Sequence, residues 1–365
     1  MNLLDDRFRP HAMGKDDGFV VIGKLESAKS CSHCSRKYCL IGPRAIQAQQ
    51  LLQALTEEIN AKLPARHRKA KHSMNIPRPP KERMKNFSRR LISVLPCALL
   101  ATAALAQEKV SVTRQDTKSV PLSVFTPASK SCAGIAIISP GAGGSENGYS
   151  YLGKAMSSQG YLAIVVGHQE SGPSALKEHM RGKGLRGGLS SLVTDTQAYE
   201  GRLQDIAAAR QWGAEHCDAK QSILLGHSMG AATVMIEAGA ANKPGVTGAD
   251  VFDAYVALSP QGPGEIFPAH AWGAIHRPVL SMTGTRDSGL DGSWETRTEP
   301  FKDMPAGCKW LGVADGATHM NFAGSGMSRK TETLTVKTIQ AFLAGVRQGD
   351  CKLPAQEEGL SLQAK

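Results

Sequence analysis

The stretch Ser222-Ile-Leu-Leu-Gly-His-Ser-Met-Gly-Ala-Ala-Thr233 decides the fold. Ser222 to Leu225 is a short apolar run that reads as a buried strand, and the Ala-rich text from Gly230 onward reads as a helix. Between them stands Gly226-His227-Ser228-Met229-Gly230, a G-x-S-x-G. On a strand-to-helix turn this pattern forms a nucleophile elbow. The two glycines let strand and helix pack closely, and the Ser228 hydroxyl is presented at the strand's C-terminal edge.

A serine hydroxyl is a weak nucleophile near neutral pH, so it needs a base and a group that orients the base. In this architecture the acid follows a later strand and the histidine comes last. Pro278-Val-Leu-Ser-Met-Thr283 is such a strand, and Asp287 ends the loop Gly284-Thr-Arg-Asp287; Asp291 is the reserve. Lys309 to Val313 is the next strand, and His319 follows it as the expected base. The developing oxyanion needs backbone N–H donors. Met229, directly after the nucleophile, is one expected donor. Ala142, in the Gly-rich loop Ser139-Pro-Gly-Ala-Gly-Gly-Ser145, is the other. No Gly-Lys-Ser/Thr follows that loop, which argues against a phosphate site.

Around this centre, short β-rich runs alternate with amphipathic stretches from Gln107 onward. Strands are expected near 109–113, 118–125, 134–139, 161–166, 222–225, 253–259, 278–283 and 309–313, and helices near 148–159, 195–215 and 330–347. That is an α/β fold with a mostly parallel central sheet of about eight strands and helices on both faces. The first two strands are expected as an antiparallel edge.

At these residues the body resembles the α/β-hydrolase superfamily, and within it the dienelactone-hydrolase-like and acetylhydrolase-like carboxylesterases. The matches are SPGAGGSENGYSYLGKAMSSQGYLAIVV, GHSMGAAT, ALSPQG, TGTRD and GATHMNF, spread over most of residues 120–345. The resemblance implies ester hydrolysis through an acyl-enzyme, with no metal and no cofactor. Dienelactone hydrolases proper use a cysteine nucleophile, and Ser228 places this chain with the serine esterases. GHSMG and the late histidine also look like polyester and cutin hydrolases, although Pro140-Gly-Ala-Gly-Gly144 lacks the aromatic residue expected after its first glycine. A non-catalytic binding protein that keeps the fold is the reading from another class.

In the fold so implied, residues 168–194, with Arg181, Lys183 and Arg186, form a mobile rim over the site. His168 is expected either to touch substrate or to cap that loop. Trp294 and Arg297 are expected to line the pocket or to lie on the surface. Only residues 261–277 separate the strands on either side of them, so no large cap domain is expected. Cys132 and Cys217 would precede neighbouring parallel strands, while Cys308 and Cys351 would meet at the same end of the sheet. The implied pairing is Cys132–Cys217 and Cys308–Cys351.

The chain of 365 residues is 41% hydrophobic and 21% charged, which excludes a disordered chain, a collagen-like fibre and a long coiled coil. Its net charge of +11 would suggest an acidic partner. Residues 1–106, however, hold 19 Lys+Arg against 8 Asp+Glu, leaving 24 of each for residues 107–365. The basic character therefore belongs to the leader. In residues 84–106, Lys85, Arg89 and Arg90 precede an uncharged run from Leu91 that ends in Ala104-Leu-Ala106. That layout predicts a signal peptide cleaved before Gln107, and a periplasmic or secreted enzyme. An uncleaved anchor is the alternative, but the run is short for a span and contains Pro96. Residues 1–83 are expected to be a doubtful upstream extension, with translation from Met84. Cys31, His33, Cys34 and Cys39 lack a well-spaced second pair for a zinc site, and Arg66–His72 is a basic run read as solvated. The expected partner of the body is a small-molecule ester, with no nucleic acid and no lasting membrane association.

Overall fold

The computed structural model describes residues 20–21, 34–35, 38–41, and 107–365 other than 130, 219–220, 291 and 325–327. The chain divides into two compact units, Met1–Ala98 and Leu99–Lys365. In the first, strands β1 (Val20–Val21), β2 (Cys34–Ser35) and β3 (Tyr38–Ile41) pair antiparallel in the order β1-β3-β2, with Cys34 opposite Cys39. Cys31, the basic run at 66–72 and the expected signal segment 84–106 lie outside the described residues.

The second unit carries a nine-stranded sheet. In chain order its strands are β4 (Gln107–Thr113), β5 (Ser119–Phe125), β6 (Gly134–Ser139), β7 (Tyr161–Val166), β8 (Ser222–His227), β9 (Ala254–Leu258), β10 (Val279–Arg286), β11 (Lys309–Thr318) and β12 (Leu360–Ala364). Their spatial order is β12-β11-β10-β9-β8-β6-β7-β5-β4. The run from β7 to β11 is parallel. β4 and β5 form an antiparallel edge as expected, and β12 pairs antiparallel to β11 at the other edge. That ninth strand is one more than the sequence pattern predicts. Leu360-Ser-Leu-Gln-Ala364 is too short and polar to stand out beside the strong helical text before it.

Strands β6 to β9 are buried at every position because both of their faces are covered. In β6, Ile135 and Ile137 join one core while Ala136 and Ile138 join the other; β7 and β8 alternate in the same way. Helices α1 (Ser150–Ser158) and α7 (Arg329–Gln348) close one face through Leu152, Met156, Leu334, Ile339, Phe342 and Leu343. Helices α4 (Thr196–His216) and α5 (Met229–Glu237) close the other through Tyr199, Ile206, Ala209, Val234 and Ile236.

From β6 the chain crosses to β7 on one side, and β8 then lies on the opposite side of β6. A crevice opens at such a reversal, outside the carboxyl ends of the strands. The expected rim at 168–194 is not a loop. It folds as a 3-10 turn (Gln169–Ser171) and two helices, α2 (Pro173–His179) and α3 (Gly184–Val193). Pro173 starts α2 where its missing N–H costs nothing. Leu185, Leu189 and Val193 give α3 an apolar stripe at helical spacing, which the glycines at 182, 184, 187 and 188 mask in the sequence.

Cys132 is bonded to Cys217 and Cys308 to Cys351, with Cα separations of 5.6 and 5.3 Å. The first bond ties the entry of β6 to the end of α4. The second ties the entry of β11 to the segment after α7. Closing loops of this length stabilises a fold by about 2–4 kcal/mol per bond. Replacing Cys308 and Cys351 by serine is therefore expected to lower the unfolding free energy by about 2–4 kcal/mol, with a steeper denaturant dependence because the unfolded chain is no longer cross-linked. Non-reducing peptide mapping should recover the Cys132–Cys217 and Cys308–Cys351 peptides as linked pairs.

Candidate active site

Ser228 sits between β8 and α5 at φ 56 and ψ −123, a backbone setting that L residues rarely adopt. Its neighbours hold it there. The Ser228 N–H donates to Leu258 O at 3.0 Å, and Ser228 O accepts from Ala232 N at 3.0 Å. Gly230 passes so close to β6 that a Cβ on it would come within 2.0 Å of Ser139 O.

Asp287 and His319 follow the adjacent parallel strands β10 and β11. The His319 Nε2 lies 2.9 Å from Ser228 Oγ, and its Nδ1 lies 2.8 Å from Asp287 Oδ1. Asp287 is fully buried and accepts from Thr283 Oγ1 at 3.0 Å through its other oxygen. His319 begins a 3-10 turn (His319–Ala323) whose entry is fixed by a reciprocal cap: the Asn321 side chain accepts from Thr318 N at 2.9 Å. The three residues singled out from spacing are thus brought into one hydrogen-bonded line. Asp291 lies outside the described residues.

The loop after β6 runs beside the nucleophile, and a Cβ on Gly141 would meet Ser228 Cβ at 3.2 Å. Gly141 N donates to Tyr149 Oη at 3.1 Å, Gly143 N to Ser171 O at 2.8 Å and Gly144 N to Gly141 O at 3.0 Å. The Ala142 N–H between them has no partner among the described residues. Met229 opens α5, and first-turn N–H groups of a helix have no intrahelical acceptor. The Ala142 N–H, on the loop beside Ser228, and the Met229 N–H, directly after it, thus stand near Ser228 without a partner among the described residues.

His227 and Tyr149 gain positions that sequence patterns did not assign, and Arg297, expected to line the pocket or to lie on the surface, borders the cavity from a buried position. His227 looks like filler within G-x-S-x-G, but it is buried and bridges two loops. Its Nδ1 accepts from Tyr149 Oη at 2.8 Å and its Nε2 donates to His319 O at 3.0 Å. Burial, together with the neighbouring His319, holds the His227 ring well below the usual histidine range, so it stays neutral. Burial also pushes Tyr149 up to about 12, which keeps its proton available for that bond. Arg297 is buried against Asp287, with Nε 2.9 Å from Asp287 Oδ1 and donating to Asp287 O at 2.7 Å. It also donates to Ser259 O and Pro260 O, and its Nη2 lies 3.3 Å from His319 Nδ1, so it touches the loops after β9, β10 and β11. A signal was available for His227, a polar residue at the end of an apolar strand; Tyr149 and Arg297 stand well beyond the ends of theirs and carry none.

A cavity of about 740 Å³ opens over Ser228. Leu176, Leu185, Leu189 and Val193 of α2 and α3 form one wall, with Ile266, Leu290 and Met320 opposite. Arg297, His227 and Tyr149 also border it. Trp294 does not: it borders a separate cavity with Thr285, Val313, Asp315 and Leu360. His168 is also absent from the Ser228 cavity. It is buried, with Nδ1 2.9 Å from Asp205 Oδ2 and Nε2 2.9 Å from Ser139 Oγ. Its ring is held well below the usual histidine range by burial and by the cations of Arg202 and Arg114. Its outer edge faces a smaller cavity of about 320 Å³ beside Gly144 and Gly172.

No family model and no curated protein matches this chain. Solved structures do. A dienelactone hydrolase-like protein from Klebsiella pneumoniae matches at 17% identity and a TM-score of 0.50, over 67% of this chain and 98% of its own. An esterase from Pyrococcus furiosus matches at 16% identity and a TM-score of 0.46, over 66% of this chain and 92% of its own. Est1E from Butyrivibrio proteoclasticus matches at 14% identity and 0.46, over 66% and 99%. With the sheet order and the strand-to-helix turn at Ser228, the Klebsiella match establishes that the chain has the α/β-hydrolase fold.

Proposed function

We propose that this chain is a serine carboxylic-ester hydrolase working through an acyl-enzyme. The observation that carries the reading is the unbroken line Ser228 Oγ, His319, Asp287, at 2.9 and 2.8 Å, beneath an open apolar cavity. In this reading His319 Nε2 takes the Ser228 proton as Oγ attacks the ester carbonyl, and Asp287 holds the imidazole with Nδ1–H facing it. The carbonyl oxygen becomes an anion between the N–H groups of Ala142 and Met229, and the positive end of α5 favours charge there. His319 returns its proton to the leaving alcohol, and water repeats the sequence on the acyl-enzyme. None of these steps calls on a metal or cofactor.

The lining supports a substrate with an extended apolar group. Leu185, Leu189 and Val193 present one continuous face, and among the described residues no carboxylate borders the cavity. Gln261 there is 9% exposed, and its Oε1 has no partner among the described residues. The structure that favours a polyester or cutin substrate as a second reading is the cavity mouth. Leu185, Leu290 and Met320 are 58, 39 and 50% exposed there, an apolar ring suited to a surface-bound chain. Hydrolysis of an insoluble polyester film would separate that reading from one restricted to soluble esters.

Two disulfides accord with an oxidising compartment. Export by residues 84–106 is part of the proposal, and the mature native protein is expected to begin at Gln107 on N-terminal sequencing. A start within residues 1–83 would overturn it.

Ser228→Ala is expected to lower hydrolysis of p-nitrophenyl butyrate by at least about 10³-fold and to abolish labelling by a fluorophosphonate probe. Retained turnover would sink the mechanism, and an unlabelled wild-type chain would favour a binding protein. Leu189→Trp fills the wall of the cavity. It is expected to cut kcat/KM for an octanoate ester about 10-fold or more while leaving an acetate ester nearly unchanged. An equal effect on both esters would show that this wall does not receive the acyl chain.

A further inference from the structure

The two N–H groups flanking Ser228 belong to elements that meet at a single buried guanidinium. Arg202, on α4, is fully buried and donates in four directions. Its Nε donates to Thr233 Oγ1 at 2.8 Å, Nη1 to Ser171 Oγ at 2.7 Å, and Nη2 to Ser139 Oγ at 2.8 Å and to Pro140 O. Each acceptor leads to the site. Thr233 Oγ1 passes its own proton to Met229 O at 2.9 Å, closing the first turn of α5, whose leading N–H belongs to Met229. Ser171 O takes the Gly143 N–H, directly after Ala142. Ser139 and Pro140 are the residues from which the loop carrying Ala142 departs.

The far side of this guanidinium is held as well. Ser139 donates onward to His168 Nε2, His168 Nδ1–H faces Asp205, and Asp205 Oδ1 accepts from Arg114 Nη1 at 3.0 Å. Ser139 Oγ is therefore fixed by a donor on one side and an acceptor on the other, and it has no rotamer freedom to release Arg202. None of the four acceptors of Arg202 is a carboxylate. A fully buried cation bonded only to neutral oxygens is a costly way to hold a core together, since an apolar side chain would fill the space more cheaply. Burial pushes Arg202 down to about 10, which still leaves it charged at neutral pH. What the guanidinium supplies and an apolar side chain cannot is a planar fork that fixes several oxygens at set angles.

We propose that Arg202 is the positioning residue of the oxyanion site, setting the distance between the Ala142 and Met229 N–H groups by gripping the loop after β6 and the first turn of α5 together. The proposal rests on the ester-hydrolase reading for its kinetic consequence, but not for its structural one. The oxyanion exists only in the transition state. A small misplacement of its donors therefore lowers kcat and leaves KM nearly unchanged.

The test uses the full chain and the variants Arg202→Lys, Thr233→Val and Ser171→Ala. Lysine keeps the charge and loses the fork, and the other two each cut one arm if the arginine variant does not fold. Active sites are titrated first, and kcat is expressed per titrated site. Arg202→Lys is expected to lower kcat about 10- to 100-fold with KM within a few-fold, less than the roughly 10²- to 10³-fold loss seen when one oxyanion donor is removed outright. Binding of a trifluoromethyl ketone, which forms a tetrahedral oxyanion on the serine, should weaken by the same factor. Unchanged kcat per titrated site, with only a lower melting temperature and fewer active sites, would reduce Arg202 to a structural staple and overturn the proposal. Amide hydrogen exchange across residues 139–145 gives a readout that needs no turnover. It should accelerate in Arg202→Lys, and unaltered exchange overturns the proposal. A wild-type chain that hydrolyses no ester would sink the functional reading instead, with the exchange result still deciding the placement.

Discussion

The active edge of the molecule depends on one close approach. A Cβ on Gly226 would stand 2.2 Å from Gly230 O, and one on Gly230 would stand 2.0 Å from Ser139 O. Strand β8, helix α5 and strand β6 therefore touch backbone to backbone, a distance only glycine permits. That contact leaves no room for a relaxed turn, and Ser228 takes up the difference at φ 56. It also sets the start of α5 beside the loop after β6. One contact thus presents the Ser228 hydroxyl and sets the start of α5 and the loop carrying Ala142 beside it.

Rigidity then has to be supplied without occupying the Ala142 and Met229 N–H groups. The structure does this with side chains that bond the carbonyls and hydroxyls around them. Arg202 grips the loop after β6 from below. Tyr149 and His227 link Gly141 to the carbonyl of His319. Arg297 holds the turn that carries Asp287 against the loop after β9. Every one of these groups is buried, so its hydrogen bonds are made in a low-dielectric setting where leaving one unmade is costly. The reactive groups are left with the few degrees of freedom that proton transfer needs.

What the sequence disclosed follows from how local each signal is. Ser228, Asp287 and His319 can be picked out because each is announced by glycine near the end of an apolar strand, and the structure brings the three side chains within hydrogen-bonding distance. The parallel sheet and both cysteine pairings were likewise legible, since strand order dictates which chain segments meet at one end. The rim at 168–194 reads as a loop because its five glycines and its serines outweigh a three-residue apolar stripe that matters only once the cavity lies beside it. Trp294 follows Asp287 closely in sequence, yet the chain turns away there and carries it to another cavity. Arg202 carried no signal at all. It stands in a helix with several other polar residues, and nothing in the text distinguishes the one that points inward.

His168 shows why residue types alone do not assign chemistry. Asp205, His168 and Ser139 repeat the acid, imidazole and hydroxyl of the active line, at 2.9 and 2.9 Å. Their setting reverses the outcome. Ser139 is fully buried in a regular strand, borders neither the Ser228 cavity nor the one beside His168, and already accepts a hydrogen bond from Arg202 while donating to His168. Buried so, it is closed to a substrate carbonyl, and its proton is already engaged. The acid differs as well: burial pushes Asp205 up to about 7, so its negative charge is weakly held near neutral pH. Ser228 has the same partners but stands on a turn that thrusts its oxygen into open space beside unpaired donors. The difference between a nucleophile and a fastener lies in the backbone and in what remains unbonded around the hydroxyl. The inert line serves the reactive one, because fixing Ser139 is what lets Arg202 hold the loop that faces Ser228.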